Sequence, residues 1–284
     1  SLKDQRPDDL TALVIRAALE KLPSLDPNSV EDILLGCAQP AGESGYNMAR
    51  VAGLLAGLED VAGTTVNRYC SSSLQAIRMA YHAIKAGEGD VFVAAGVETV
   101  SRFDKGKCDG MPDTKNSLFQ SEHSQLPNVY LAMGETAERV ASQEGITREE
   151  MDEYAFLSQK RACEAMGQGV FDREITSVTL ADGTVIGRDD CPRAGTTVEK
   201  LSTLKPVFRE DGRVTAGNAC PLNDGAAAVV VMSDSRAKDL GITPLARIVS
   251  TGLSALNPEM MGLGPIAASR QAMKRANMGL GDID

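Results

Sequence analysis

The chain has no tryptophan and few aromatic side chains of any kind, with five Tyr and six Phe in 284 residues. It has two histidines, His82 and His123. Its six cysteines stand apart at 37, 70, 108, 163, 191 and 220, with no CxxC pair. Zinc sites need clustered Cys and His ligands, and disulfide-stapled secreted domains need dense cysteine, so both classes are disfavoured. Positive charge is scarce too: 29 Lys and Arg face 39 Asp and Glu, a net charge of −10. A chain so acidic lacks the basic face that binds DNA or RNA through phosphates, although local basic pockets for a small anion remain compatible with it. No apolar run approaches the ~20 residues that span a bilayer, and no charged-then-apolar leader opens the chain. The expectation is a soluble cytoplasmic protein with no metal, no membrane span and no nucleic-acid partner.

What is present is small and aliphatic: 43% hydrophobic residues and 27 glycines, in a chain long enough for a large core and more than one domain. DDLTALVIRAALEKL (8–22) predicts an amphipathic helix with Leu10, Leu13, Val14 and Ala17 on one face and Asp8 or Asp9 as its cap. DILLGC (32–37) and DVFVAAG (90–96) are short apolar runs of buried-strand length. Residues 47–58 predict a helix, GTTVNRY (63–69) a strand, and 71–87 a helix stopped by Gly87. This alternation predicts a parallel α/β sheet with helices on both faces. From 101 to 130 the pattern becomes irregular. Two helices follow, the second opening on Thr147 and Glu150 at capping-box spacing. EITSVTLADGTVIG (174–187) predicts a hairpin turning at Asp182-Gly183, 188–217 reads as loop, and strands are predicted at 226–232 and 244–250. Residues 101–216 are therefore an insertion into the α/β body, and a second α/β unit begins near 240.

Two stretches carry candidate chemistry. Cys70, in VNRYCSSSLQAI (66–77), falls where a strand hands over to a helix. A thiol there meets unpaired N–H groups and the positive end of the helix dipole, which favour thiolate. It also sits above the carboxyl edge of the sheet, where α/β folds bind ligands. The residues alone leave two readings open, a reactive thiol or a buried inert one. His82 is a poor base partner, because twelve residues of helix put it ~18 Å away; a core or surface histidine is the better reading. Nothing in the spacing of His123 recruits it either. The second stretch, GNACPLNDGAAAVVVM (217–232), has a strong Asn-Asp-Gly turn before a buried strand and small residues that admit a close ligand. By spacing alone it is an ordinary turn.

Taken in order, four segments resemble the thiolase family: VNRYCSSSLQAI (66–77), MGETAERVA (133–141), TAGNACPLNDGAAAVVVMSD (215–234) and PEMMGLGPIAASRQAMKRANMGLGDID (258–284). The resemblance spans essentially the whole chain. It implies a layered α/β fold of two similar α/β halves with an α+β loop-domain insertion. The N-terminal half would be 1–100 with 217–239, the CoA-binding loop domain 101–216, and the start of an incomplete C-terminal half 240–284. It implies an acyl-CoA C-acyltransferase that cleaves 3-ketoacyl-CoA with CoA, or runs the reverse condensation, through an acyl group on Cys70. The backbone N–H of Cys70 would help hold the thioester oxygen. Coenzyme A would be substrate, and no cofactor would be needed. Carried over residue by residue, CoA contacts fall on Arg193, Val207, Phe208, Ala216 and Cys220, and the acyl pocket on Met133 and Met261. Without the family, Arg193 reads as a solvated loop arginine and the methionines as packing.

The sequence departs from the family pattern in places. Cys220-Pro221 replaces the usual Ser-Gly, which removes a hydroxyl and stiffens the loop. Ala132 stands where biosynthetic members often have His, which favours the degradative, β-oxidation type. CSSS replaces the commoner Cys-Ser-Ser-Gly or Cys-Gly-Ser-Gly and narrows the site slightly. The family's Asn-Glu-Ala-Phe, Gly-His-Pro and Cys-x-Gly segments, which bring its histidine and second cysteine, fall beyond position 284 of an aligned chain. Its first strand falls before Ser1, so a longer natural protein is expected. Family members are dimers or tetramers, so a homo-oligomer is expected as well. The alternatives are a non-catalytic acyl-CoA binder or scaffold, and a decarboxylating ketoacyl synthase, which the 101–216 insertion argues against.

Overall fold

The computed structural model describes residues 1–103, 114–119 and 125–284; His123 and Cys108 fall outside them. In chain order the elements are α1 (Pro7–Glu20), β1 (Asp32–Gly36), α2 (Met48–Leu55), β2 (Ala62–Val66), α3 (Ser72–Ala86), β3 (Val91–Thr99), α4 (Met133–Gln143) and α5 (Arg148–Gly167). Then follow β4 (Val178–Thr179), β5 (Val185–Ile186), α6 (Val198–Ser202), β6 (Asp224–Met232), α7 (Asp234–Asp239) and α8 (Gly264–Ala276). The chain divides into two compact units. The first holds Ser1–Gly110, Ile175–Arg188 and Leu222–Ile248; the second holds Met111–Glu174, Asp189–Pro221 and Val249–Asp284.

The first unit is built on a four-stranded sheet in the order β2-β1-β3-β6. β1 pairs in parallel with β2 and β3, as the alternating pattern predicts. β6 departs from that expectation and runs antiparallel to β3 along its full length, from Val91 opposite Met232 to Thr99 opposite Asp224. The reason is topological. The chain leaves β3 at Thr99 and re-enters the sheet directly opposite, so it can only run back. Asp224 closes this junction by accepting the Ser101 N–H at 2.9 Å and the Ser101 hydroxyl at 2.6 Å.

Both sheet faces are covered. Ile33, Leu35, Val91, Val93, Ala95 and Val97 point to one side and pack with Ile15 and Leu19 of α1 and with Met48, Ala49 and Ala52 of α2. Leu34, Phe92 and Ala94 point to the other and pack with Ala76 and Ala80 of α3. The period of two along β1 and β3 divides each strand between two cores. α1 is helical as expected, but its buried stripe runs through Leu10, Thr11, Ala12, Ile15 and Leu19, with Leu13, Val14 and Ala17 only half-buried. Its cap is Arg6, with Pro7 at the first helical position, where a missing N–H costs nothing. Asp8, expected as a cap, is instead buried and held by the Arg6 guanidinium at 2.8 Å.

The hairpin at Asp182-Gly183 is present, with Val178 and Thr179 paired to Ile186 and Val185 and Gly183 at φ +85°. The capping box at Thr147 and Glu150 is present too. Two expectations fail. Residues 188–217 are not all loop, because Thr197 caps the short α6 by accepting the Lys200 N–H. Residues 244–250 form no strand among the described residues, and Leu245 is fully exposed. A strand exists only as a hydrogen-bonded partner of another, and this apolar run has none. In the second unit Ser250 and Thr251 lie along α8 instead, through the Ser250 hydroxyl to the Ala272 carbonyl (2.8 Å) and Arg275 to the Thr251 carbonyl (2.7 Å).

The start of α3 rests directly on the sheet. A Cβ on Gly36 of β1 would overlap the Ser73 backbone nitrogen and come within 2.9 Å of the Ser72 Cβ, and one on Gly96 of β3 would overlap the Ser73 side chain. Glycine is required here for close approach. Gly36→Ala should therefore lower stability by about 1–3 kcal/mol through overpacking, read as a fall in the urea unfolding midpoint.

Candidate active site

Cys70 lies in the first unit, on a 3₁₀ turn (Tyr69–Ser71) between the end of β2 and the start of α3, at the carboxyl edge of the parallel strands. Its side chain is exposed and free. The turn is tightly wired. Asn67 Oδ1 accepts the Tyr69 N–H at 2.8 Å, and the Ser71 N–H reaches the Arg68 carbonyl at 3.0 Å. The buried Ser72 hydroxyl donates to the Tyr69 carbonyl at 2.6 Å and accepts the Arg68 N–H at 2.8 Å. Tyr69 takes φ +45°, a left-handed conformation costly for a residue with a Cβ. The elbow thus turns the chain sharply enough to leave Cys70 on the surface. The serine run does more than leave room, since Ser72 locks the turn. His82 sits near the far end of α3, exposed, with its ring 5.6 Å from that of Tyr81. His123 lies outside the described residues.

Sequence spacing alone did not single out Glu98, at the end of β3. It is partly buried and accepts the Ala38 N–H at 2.8 Å, and the Cys37 sulfur lies 4.0 Å from its other oxygen. Burial pushes its carboxyl above the ordinary range, partly offset by the N–H groups of Ala38 and Gln39. In the same unit, Glu43 takes Arg102 and Arg6 as partners, and the Arg102 hydrogen bond holds its carboxyl below the ordinary range.

The second unit contains the other seven candidates. Met133 and Met261 meet on one apolar groove of about 280 Å³, lined also by Ala137, Val140, Ile146 and Met151. Phe208 packs over Gly134, where no side chain would fit, and stays partly exposed beside the exposed Val207. Ala216 is exposed in the turn Thr215–Asn218, and Cys220 is exposed and free just beyond it. Arg193 is exposed on the loop before α6, its N–H held by Gln159 at 2.8 Å.

Two buried carboxylates that spacing did not reveal hold the 213–218 loop. Glu138 of α4, 2% exposed, accepts the Arg213 and Val214 N–H groups at 2.7 Å each. Asp152 of α5, 1% exposed, binds Arg148 at 2.8 Å and the Asn218 side-chain amide at 3.0 Å. The same amide donates to the Arg213 carbonyl at 2.9 Å, and its oxygen accepts the Thr215 N–H at 2.8 Å. No local signal separates them from the other acidic residues of their helices, since Glu135 stands beside Glu138 in α4 and Glu149, Glu150 and Glu153 stand beside Asp152 in α5.

Among the described residues no His/Cys/Asp/Glu group is arranged to hold a metal ion, and no helix is long and apolar enough to cross a membrane.

A mostly parallel sheet with helices on both faces, carrying an exposed cysteine on a strand–helix elbow, defines the class as an α/β protein with its candidate chemistry at the carboxyl edge of the sheet. A model of the thiolase N-terminal domain matches residues 1–235. A 3-oxoadipyl-CoA/3-oxo-5,6-dehydrosuberyl-CoA thiolase of Escherichia coli is 42% identical over 299 residues, covering 100% of this chain and 75% of that protein. A 3-ketoacyl-CoA thiolase of Idiomarina loihiensis is 42% identical over 286 residues, covering 98% and 72%. The crystal structure of a Bacillus anthracis acetyl-CoA acetyltransferase superposes with a TM-score of 0.86 at 38% identity, over 100% of this chain and 74% of that one. The chain belongs to the thiolases, a family of acyltransferases, and spans about three quarters of the length of these relatives.

Two outcomes follow. Asp152→Ala leaves the Arg148 guanidinium without its buried partner and should cost about 3–5 kcal/mol, measured by urea unfolding. For Glu98, a folded-state pKa above the unfolded one means that the fold prefers the protonated carboxyl. Its contribution is therefore complete below the ordinary glutamate range and lost as pH rises through the folded value. Across that window the wild-type unfolding midpoint should fall with pH relative to that of Glu98→Gln.

Proposed function

We propose that this thiolase-family chain cleaves 3-ketoacyl-CoA with CoA, or runs the reverse condensation, with Cys70 as the acylated nucleophile. The Cys70 thiolate adds to the keto carbon. As the sulfur–carbon bond forms, the adjacent carbon–carbon bond breaks, and its electron pair leaves on the acetyl-CoA carbon, which takes a proton. The acyl group then passes to the thiol of a second CoA. The Cys70 N–H is the donor we assign to the thioester oxygen. The observation that carries the reading is the strained, hydrogen-bonded elbow that leaves Cys70 exposed at the carboxyl edge of the sheet.

We assign CoA contacts to Arg193, Val207, Phe208, Ala216 and Cys220, with the Arg193 guanidinium suited to a phosphate. Met133 and Met261 line the acyl site in this reading, and their meeting on one apolar groove supports it. Coenzyme A is substrate, and no cofactor is called for. Ala132, in place of the histidine common in biosynthetic members, favours the degradative β-oxidation type. The E. coli and Idiomarina relatives are named for 3-oxoacyl-CoA substrates, which agrees with that direction. A cytoplasmic homo-oligomer completes the proposal.

The test is incubation with a 3-ketoacyl-CoA followed by peptide mass mapping. The wild type should carry an acyl group on Cys70, Cys70→Ala none, and Cys220→Ser the wild-type adduct. A wild type with no adduct on Cys70 would leave a non-catalytic acyl-CoA binder.

A further inference from the structure

We propose that Glu98 is a positioning residue for the nucleophile, acting through Ala38 and Asn67 on the elbow that carries Cys70. This inference rests on the reading of Cys70 as the acylated residue. A single hydrogen-bonded relay crosses the carboxyl ends of three neighbouring strands. It starts at Glu98 on β3, which accepts the Ala38 N–H just past β1 at 2.8 Å. The Ala38 carbonyl accepts from the Asn67 side-chain amide, just past β2, at 2.9 Å. The Asn67 oxygen then accepts the N–H of Tyr69 at 2.8 Å. Tyr69 precedes Cys70 and carries the left-handed φ of +45°.

The consequences follow from what each link restrains. A strained conformer persists only where its surroundings over-determine it. Asn67 binds with both ends of its amide, so the direction of the Tyr69 N–H is coupled to the position of Ala38. Ala38 is fixed in turn by a carboxylate that is partly buried against the Cys37 thiol, 4.0 Å away. Glu98 touches no reacting atom in this scheme. Removing it frees the 38–39 segment, then Asn67, and lets Tyr69 relax towards a right-handed backbone. That relaxation would move the Cys70 sulfur off its line of attack while leaving the substrate-binding surface intact. Glutamine keeps one oxygen able to accept the Ala38 N–H, whereas alanine keeps none.

The experiment is single-turnover acylation of Cys70 by a 3-ketoacyl-CoA across substrate concentrations, with acylated peptide quantified by mass spectrometry. It is run on the full chain for the wild type, Glu98→Ala, Glu98→Gln and Asn67→Ala. Expected is a fall of about tenfold or more in the saturating rate for Glu98→Ala and for Asn67→Ala, the loss that sub-ångström misplacement of a reacting group brings. The half-saturating concentration should stay within about twofold, and Glu98→Gln should retain about a third of the wild-type rate or better. Asn67 is exposed and lies outside the sheet core, so its variant keeps the test open if Glu98→Ala fails to fold. Wild-type saturating rates in the folded variants would overturn the inference, as would a change confined to the half-saturating concentration. A wild type that takes no acyl group on Cys70 would instead overturn the underlying reading of the nucleophile.

Discussion

The close seating of α3 on the sheet is the constraint on which the rest of the site depends. Gly36 and Gly96 lie opposite each other on adjacent strands and together leave a floor without side chains. Only on such a floor can the first turn of α3 descend to backbone contact. That descent brings the preceding residues tight against the strand ends. The chain leaving β2 must then turn within a few residues, and the left-handed Tyr69 and the Ser72 hydroxyl are the means by which it does so. Cys70 is exposed because of what is missing beneath the helix that follows it.

A second economy concerns how the loops are held. In both units a carboxylate on a regular element captures backbone N–H groups of a loop that the rest of the chain leaves unpaired. Glu98 does so for Ala38, and Glu138 does so for Arg213 and Val214. Asp152 adds side-chain capture of Asn218 in the same loop. Buried backbone donors must find acceptors, and a carboxylate fixed on a helix or strand is a stiff one. The 38–39 and 213–218 loops are each anchored in this way to a strand or helix of their own unit. Such anchoring suits a site whose function is to hold geometry.

Much of the α/β body was legible in the sequence. The alternation of short apolar runs with helical repeats located β1, α2, β2, α3 and β3. The Thr147–Glu150 spacing marked the start of α5, and Asp182-Gly183 marked the hairpin. Local signals failed where a neighbour decided the outcome. Residues 244–250 have the composition of a strand, yet pairing is a property of two segments. The helical face of α1 was misjudged because its apolar residues nearly encircle it, and packing against the sheet selects Ile15 and Leu19. The candidate site was legible at Cys70, where a strand–helix junction is a local feature. Glu98, Asp152 and Glu138 were not, since each acts on a residue 60 or more positions away.

By itself the sequence determined the run of elements from β1 to β3, the place of the cysteine at the β2–α3 junction, the Thr147–Glu150 cap and the Asp182-Gly183 turn. All of these are set by side chains within a few residues of one another. Only the tertiary structure decided that β6 runs antiparallel, that Asp8 is held by Arg6, that Met133 and Met261 share a groove, and that Glu98 is tied through Ala38 and Asn67 to the cysteine elbow. The physical reason is that periodicity and capping are written along the chain. Pairing direction, close approach and burial of charge depend instead on which distant segments the closed loops bring together.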